Sequence, residues 1–262
     1  TSITNAQNFT YWADEPLYRH LDIDNNEGIE DRKQYLKKRT FEIVADQTGK
    51  IFDPNVLTIV WARRIAGYKR ADLLTYNIER FEKMLNNTKY PVQIIWAGKP
   101  YPVDYPSITT FNQLVHLSKN YKNVAVLVGY ELFLSRRLKQ GADLWLNNPR
   151  IPREASGTSG MTASMNGAIN FSTNDGWIPE FAKPGINSYV VPQPDYENMS
   201  THDLDNYDFD KVYDMLENEI IPTYYDNKNK WWDIVKNGMT DVRHEFDSNR
   251  MAHEYYEIMY KS

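Results

Sequence analysis

Residues 56–62 read VLTIVWA. The run is apolar from end to end and rich in β-branched side chains. A strand with one wet face alternates apolar and polar residues. A strand covered on both faces does not, and that is the situation in a parallel sheet. Working outward, Asp53-Pro54 just upstream is a turn signal. Before it, residues 29–46 read as a helix with Tyr35, Leu36, Phe41 and Val44 on one face. Downstream, residues 63–70 form a loop with a basic end. Residues 71–85 then show helical periodicity through Leu73, Leu74, Ile78, Phe81 and Leu85. The pattern repeats, with strands expected at 92–96, 124–128, 143–146, 168–171 and 188–191. Helices are expected at 107–118, 131–139 and 158–166. Residues 193–206 are polar without a period and read as a surface loop. From Phe209 the pattern is helical to the end, with a break near Pro222. Strands alternating with helices predict an α/β fold, a doubly wound parallel sheet with helices on both faces and a helical C-terminal segment. Three segments are expected: a helical lead-in at 1–54, the α/β body at 55–207, and C-terminal helices at 208–262 packing back on it. In such a sheet ligands bind beyond the carboxyl ends of the strands.

The composition narrows the function classes. With 262 residues, 41 % of them hydrophobic, the chain can bury a sizeable core. Its 19 Tyr and 7 Trp offer flat apolar faces with polar tips, suited to the core or to stacking on sugars. A net charge of −5 argues against a nucleic-acid partner, which needs a clustered basic face. The absence of Cys excludes disulfides, zinc-thiolate sites and thiol catalysis. The His residues show no metal-ligand spacing, and no apolar run reaches the length of a membrane span. The opening TSITNAQNFTYW lacks an initiating Met and any basic-then-apolar order. It reads as internal to a longer, cytoplasmic polypeptide rather than as a signal peptide.

Four loops leave the carboxyl ends of expected strands. In ARRIAGYKRADLL, residues 62–74, the cations Arg63, Arg64, Lys69 and Arg70 follow a strand directly. Such a cluster suits a phosphate, which Arg can grip in bidentate fashion. The plainer alternative is a solvated basic turn paired with acids such as Asp72. In NNPRIPREASGTSGMTASMN, residues 147–166, Glu154 precedes a run of small residues opening a helix. Small residues allow close approach of a ligand, and N–H groups at a helix start can meet an anion. A carboxylate beside them can accept hydrogen bonds from sugar hydroxyls. Equally, the Ser and Thr residues could simply cap the helix. WAGKP at 96–100, with Asp104, is a weaker signal that places Lys99 near the same pocket. NDGW at 174–177 reads as an ordinary turn. A basic loop and a Glu-plus-glycine loop opening the same way suit joint binding of a phosphate and a sugar.

Together LTIVWARRIAGYKRADLL, WAGKPYPVD, GADLWLNNPRIPREASGTSGM and NGAINFSTNDGW resemble the α-glucan (glycogen, starch and maltodextrin) phosphorylases, the shorter bacterial and archaeal type above all. The resemblance implies a chain corresponding to the C-terminal of two Rossmann-like domains that face each other across a cleft. The N-terminal domain would be absent from this sequence. It implies transfer of a terminal α-1,4-linked glucose to phosphate, giving glucose 1-phosphate. By this likeness Arg64 and Lys69 hold the reacting phosphate, with Tyr68 beside them. Glu154, Ser156 and Gly157 bind the glucose, and Thr158 and Ser159 cradle the phosphate of pyridoxal phosphate, the family cofactor. No metal is implied, and a homodimer is compatible with the family. One position departs: the lysine that forms a Schiff base with the cofactor corresponds to Thr162, which has no amine. Nucleotide-sugar glycosyltransferases such as glycogen synthases carry a second Glu there, and Thr162 is not that either. Three readings follow. They are the catalytic domain of a phosphorylase, inactive in isolation; a nucleotide-sugar glucosyltransferase on the same scaffold; and an inactive module that senses glucans or sugar phosphates.

Overall fold

The computed structural model describes residues 2–261. Six strands form one parallel sheet: β1 (Leu57–Ala62), β2 (Val92–Ala97), β3 (Val124–Leu127), β4 (Leu144–Asn147), β5 (Ile169–Ser172) and β6 (Ser188–Val190). Their order across the sheet is β3-β2-β1-β4-β5-β6. β1 pairs with β2 from Leu57↔Val92 to Ala62↔Ala97, and with β4 on its other side. The winding reverses between β1 and β4, where a doubly wound sheet opens its binding crevice.

The apolar run at β1 is explained by burial on both faces. Leu57, Ile59 and Trp61 enter one core cluster, while Val60 and Ala62 enter the other. Each such aliphatic side chain, fully buried, stabilises the fold by about 1.5–3 kcal/mol. The larger cluster reaches from Ala13 and Leu17 in the lead-in to Phe209 and Phe246 near the C-terminus.

Twelve α-helices surround the sheet: α1 (Phe9–Trp12), α2 (Glu15–Asp22), α3 (Asn26–Thr48), α4 (Ile78–Leu85), α5 (Tyr105–Ser118), α6 (Leu132–Gly141), α7 (Ser159–Ser164), α8 (Ile178–Phe181), α9 (Thr201–Met215), α10 (Ile221–Asp226), α11 (Lys228–Glu245) and α12 (Ser248–Tyr255). α3 brings two buried cations to the sheet. Lys33 donates to the carbonyls of Gln140, Ala142 and Asn166, where α6 and α7 end. Lys37 pairs with Asp143 at 2.5 Å, just before β4. The lead-in is tied to the C-terminal helices by Gln7, whose N–H donates to Phe246 O and whose carbonyl accepts from Ser248 N–H.

Three elements differ from the sequence reading. The helix expected at 71–85 begins only at Ile78, because the Asn77 side chain accepts from Arg80 N–H and fixes the start there. α9 begins at Thr201 behind the Ser200 cap, inside the expected 193–206 loop. Pro222 does not break the helix that follows. A π-helical turn at Leu216–Ile220 leads directly into α10. A proline ring clashes with the carbonyl four residues back, and a widened turn relieves that clash. The break comes at Asn227, whose side chain caps α11.

Candidate active site

The loops after β1 and β4 meet above the crevice and are stitched together. The indole of Trp61 donates to Asn148 Oδ1 at 2.8 Å, and Asn148 Nδ2 donates to Arg70 O at 2.8 Å. Arg70 in turn donates to the carbonyls of Asn148 and Pro149. The Arg150 N–H donates to Tyr68 O at 2.7 Å. Both loops are thereby held as one rigid wall.

Arg63, Arg64, Lys69, Tyr130, Glu154 and the stretch 156–159 line one open cavity of ≈ 400 Å³. Of the residues singled out in the sequence, Arg64, Lys69, Glu154, Ser156, Gly157, Thr158 and Ser159 lie around this cavity. Tyr68 stands beside the cavity, half-buried, with Lys69 Nζ 5.2 Å from its ring centroid. Glu154 accepts from Lys69 Nζ at 3.0 Å and pairs with Arg63 Nη2 at 3.2 Å. Three cations against one carboxylate leave an excess of two positive charges on the cavity wall.

Arg63 is the residue the sequence underweighted. It is 5 % exposed, and among the described residues its Nε and Nη1 have no hydrogen-bond partner. Burial pulls its guanidinium below the ordinary range, and the Glu154 charge opposes that shift. The Ser159 hydroxyl is likewise buried and unpartnered. Leaving a buried donor unpaired costs about 1–3 kcal/mol. These donors on a cavity wall are therefore matched to an anionic acceptor.

Arg70 does not join the cavity. Its fully buried guanidinium pairs with Asp205 at 3.0 Å and Asp208 at 2.6 Å, both on α9. Lys99 lies away from the cavity as well, exposed and paired with Glu131 at 2.8 Å. Asp104 caps α5 by accepting from the N–H and hydroxyl of Ser107.

The turn at 174–177 is more than a connection. Asp175 Oδ2 accepts from the N–H groups of Arg153 and Glu154, and Trp177 N–H donates to Ser156 O at 2.7 Å. Gly176, at φ +64°, packs so closely that a Cβ would lie 2.6 Å from Ser156 O. Gly157 takes φ +73° at the bend after Glu154. From the other side Asn5 Nδ2 donates to Ser156 Oγ at 3.1 Å. Thr162, on α7, is fully buried, and its hydroxyl donates to Ser159 O at 3.1 Å. Among the described residues no helix is long and apolar enough to cross a membrane, and no cluster of metal-ligating side chains occurs.

A family model for carbohydrate phosphorylases matches residues 18–183. An uncharacterized protein of Methanocaldococcus jannaschii is 44 % identical over 265 residues, covering 99 % of this chain and 48 % of that protein. Maltodextrin phosphorylase of Thermococcus litoralis is 38 % identical over 251 residues, covering 94 % of this chain and 30 % of its own length. Glycogen phosphorylase of Aquifex aeolicus is 35 % identical over 244 residues, covering 89 % and 34 % respectively. The chain therefore spans less than half the length of each of these relatives.

Proposed function

This chain belongs to the carbohydrate phosphorylase family, and on that premise we propose that it forms the phosphate- and glucose-binding part of an α-glucan phosphorylase. The reaction is transfer of a terminal α-1,4-linked glucose to phosphate, giving glucose 1-phosphate. The observation that carries this reading is the gathering of Arg63, Arg64, Lys69 and Glu154 around one cavity at the sheet's switch point. Arg64 and Lys69 hold the phosphate, and Arg63 offers its two unpartnered donors to a phosphoryl group. Pre-aimed cations of this kind stabilise developing negative charge in a site shielded from water.

Glu154 has a second task. Its carboxylate pairs with Arg63 and Lys69. An arriving phosphate competes for Lys69 and frees a carboxylate oxygen to accept from glucose hydroxyls. Ser156 and Gly157 complete the sugar side, with Tyr68 beside Lys69. Phosphate and sugar binding are thereby coupled through a single carboxylate.

The remainder of the protein closes over the cavity. Beyond the carboxyl ends of β2 and β3, Tyr101 and Val103 and the first residues of α5 and α6, Tyr105, Leu132 and Phe133, are exposed. Large exposed apolar side chains at this edge of the sheet suit an interaction surface, and an N-terminal domain of the same protein is the natural occupant. Alone, the chain is expected to bind ligand without turnover.

Pyridoxal phosphate fits this site only in part. Its phosphate would meet Arg63, Thr158 and Ser159. Its aldehyde would find no suitable amine, because Thr162 has none and this reading assigns the cavity's Lys69 to the reacting phosphate. No covalent step is derived through the cofactor. That same feature favours the second reading, a module that binds sugar phosphates or glucans without turning them over. A nucleotide-sugar transferase has less support, since Thr162 supplies no second acid.

Calorimetry separates these readings. The intact protein is expected to bind glucose 1-phosphate, with Lys69→Ala weakening binding by at least tenfold. Preference for UDP-glucose over glucose 1-phosphate would sink the proposal. Failure of the intact protein to release glucose 1-phosphate from maltoheptaose and phosphate would leave only the binding module.

A further inference from the structure

A second cleft lies at the opposite, amino-terminal edge of the sheet. Its walls carry Tyr224, Tyr225, Trp231 and Trp232, and its volume is ≈ 120 Å³, far above the roughly 10–15 Å³ that one water requires. Tyr225 fixes its place. The phenol accepts from Leu57 N–H at 3.1 Å and donates to Pro91 O at 2.5 Å, at the starts of β1 and β2. The six residues of β1 separate this edge from the active-site cavity, a distance of roughly 20 Å at about 3.3 Å per residue.

The chemistry of the cleft is that of a neutral, hydroxyl-rich ligand. Trp231 is buried and meets Tyr224 edge-on, with centroids 4.9 Å apart. Trp232 and Tyr224 are half-buried and offer apolar ring surface. The cleft is also lined by the polar side chains of Glu30, Gln34, Asn55 and Lys228. Gln34 Nε2 donates to Asn55 Oδ1 at 2.8 Å, and Lys228 pairs with Glu30 at 3.2 Å. Amides present both donor and acceptor, as sugar hydroxyls do. Lys228, the cation among the described lining residues, is already paired with Glu30, so nothing here selects a phosphate. Aromatic walls with a few convergent polar groups are the general form of a small-ligand site.

We propose that this cleft binds a non-reacting glucosyl segment of an α-glucan, holding the polymer while a chain end occupies the distant cavity. The inference rests on the reading of glucan as the substrate class. A polymer gripped at two places gains effective concentration at the second. Short oligosaccharides gain nothing.

Hydrogen–deuterium exchange of the intact protein with maltoheptaose locates the binding directly. Added sugar should protect peptides spanning 30–34 and 224–232. Trp232→Ala and the surface change Gln34→Ala should raise the concentration needed for that protection by roughly tenfold and several-fold. Glu154→Gln, in the other cavity, should leave it unchanged. Protection confined to the carboxyl-edge loops, or unaltered protection at 224–232 in both cleft variants, overturns the proposal. So does a lack of any protection. The two readings fail separately. A protein that binds glucose 1-phosphate but shows no sugar protection at 224–232 loses only the cleft. One protected there that binds no glucose 1-phosphate loses only the phosphorylase reading.

Discussion

The loop that carries Glu154 depends on residues outside the cavity lining. Gly176 takes φ +64°, and its missing Cβ is what lets the turn press against Ser156 and Glu154. Gly176→Ala adds both a left-handed backbone penalty and a clash with backbone Ser156 O. The loop must move to relieve that clash, carrying Glu154 with it. The expected loss is about 1–3 kcal/mol of stability, read by urea denaturation, together with weaker glucose 1-phosphate binding. Unchanged affinity would show that the turn does not position the loop. At this scale the sequence exposed the charged and glycine-rich candidates but not their division of labour. Arg63, Arg64, Lys69 and Arg70 look alike in a basic run, yet burial turns Arg63 toward the cavity and Arg70 toward α9. Asp175 was hidden because turn formation alone accounts for an Asn-Asp-Gly sequence.

Among the elements, α9 shows why part of the fold was not legible. Its inward face is Leu204, Asp205, Asp208, Phe209, Val212 and Tyr213. The spacing is helical, but two of the six are carboxylates and both precede Phe209, so the apolar period emerges only from there. The buried strands had no such disguise, since a strand covered on both faces is a continuous apolar run. Those carboxylates hold Arg70, and through it α9 grips the basic loop. Arg150 shares Asp205 at 2.7 Å, so Asp208 relies on Arg70 for its counter-charge. Arg70→Met leaves a fully buried Asp208 unpaired, at a cost of about 3–5 kcal/mol. Burial already pushes the Asp208 carboxyl above its usual range, and losing Arg70 pushes it further. A carboxyl raised in the folded state destabilises the fold above its unfolded pKa and ceases to do so once protonated. Denaturation of Arg70→Met should therefore show a smaller deficit near pH 4 than at pH 7. Adding Asp208→Asn should recover part of the loss at pH 7. A deficit independent of pH would assign the effect to packing of the Arg70 stem instead.

For the whole molecule, the doubly wound class was readable from alternation, while the strand order and its switch point came with the structure. Less legible was how the lead-in helices complete the core. Lys139 on α6 shows what that closure imposes. It is 4 % exposed, and its ammonium lies 3.7 Å from the Trp12 ring centroid, with no carboxylate in salt-bridge reach among the described residues. Burial pushes its amine down to about 7 from 10.5. Between those values the unfolded chain holds a proton that the folded chain releases, so this group makes stability rise with pH across that window. The increment from pH 7 to 10 is roughly 3 kcal/mol. Lys139→Met keeps a long, flexible stem and carries no proton. The variant should be more stable than the parent at pH 7, and the gap should narrow to little by pH 10. Urea midpoints at pH 7, 8.5 and 10 measure it, with the other titrating groups common to both proteins. Parallel curves would mean that the Trp12 ring compensates the charge in full and that closing the lead-in over α6 carries no electrostatic penalty.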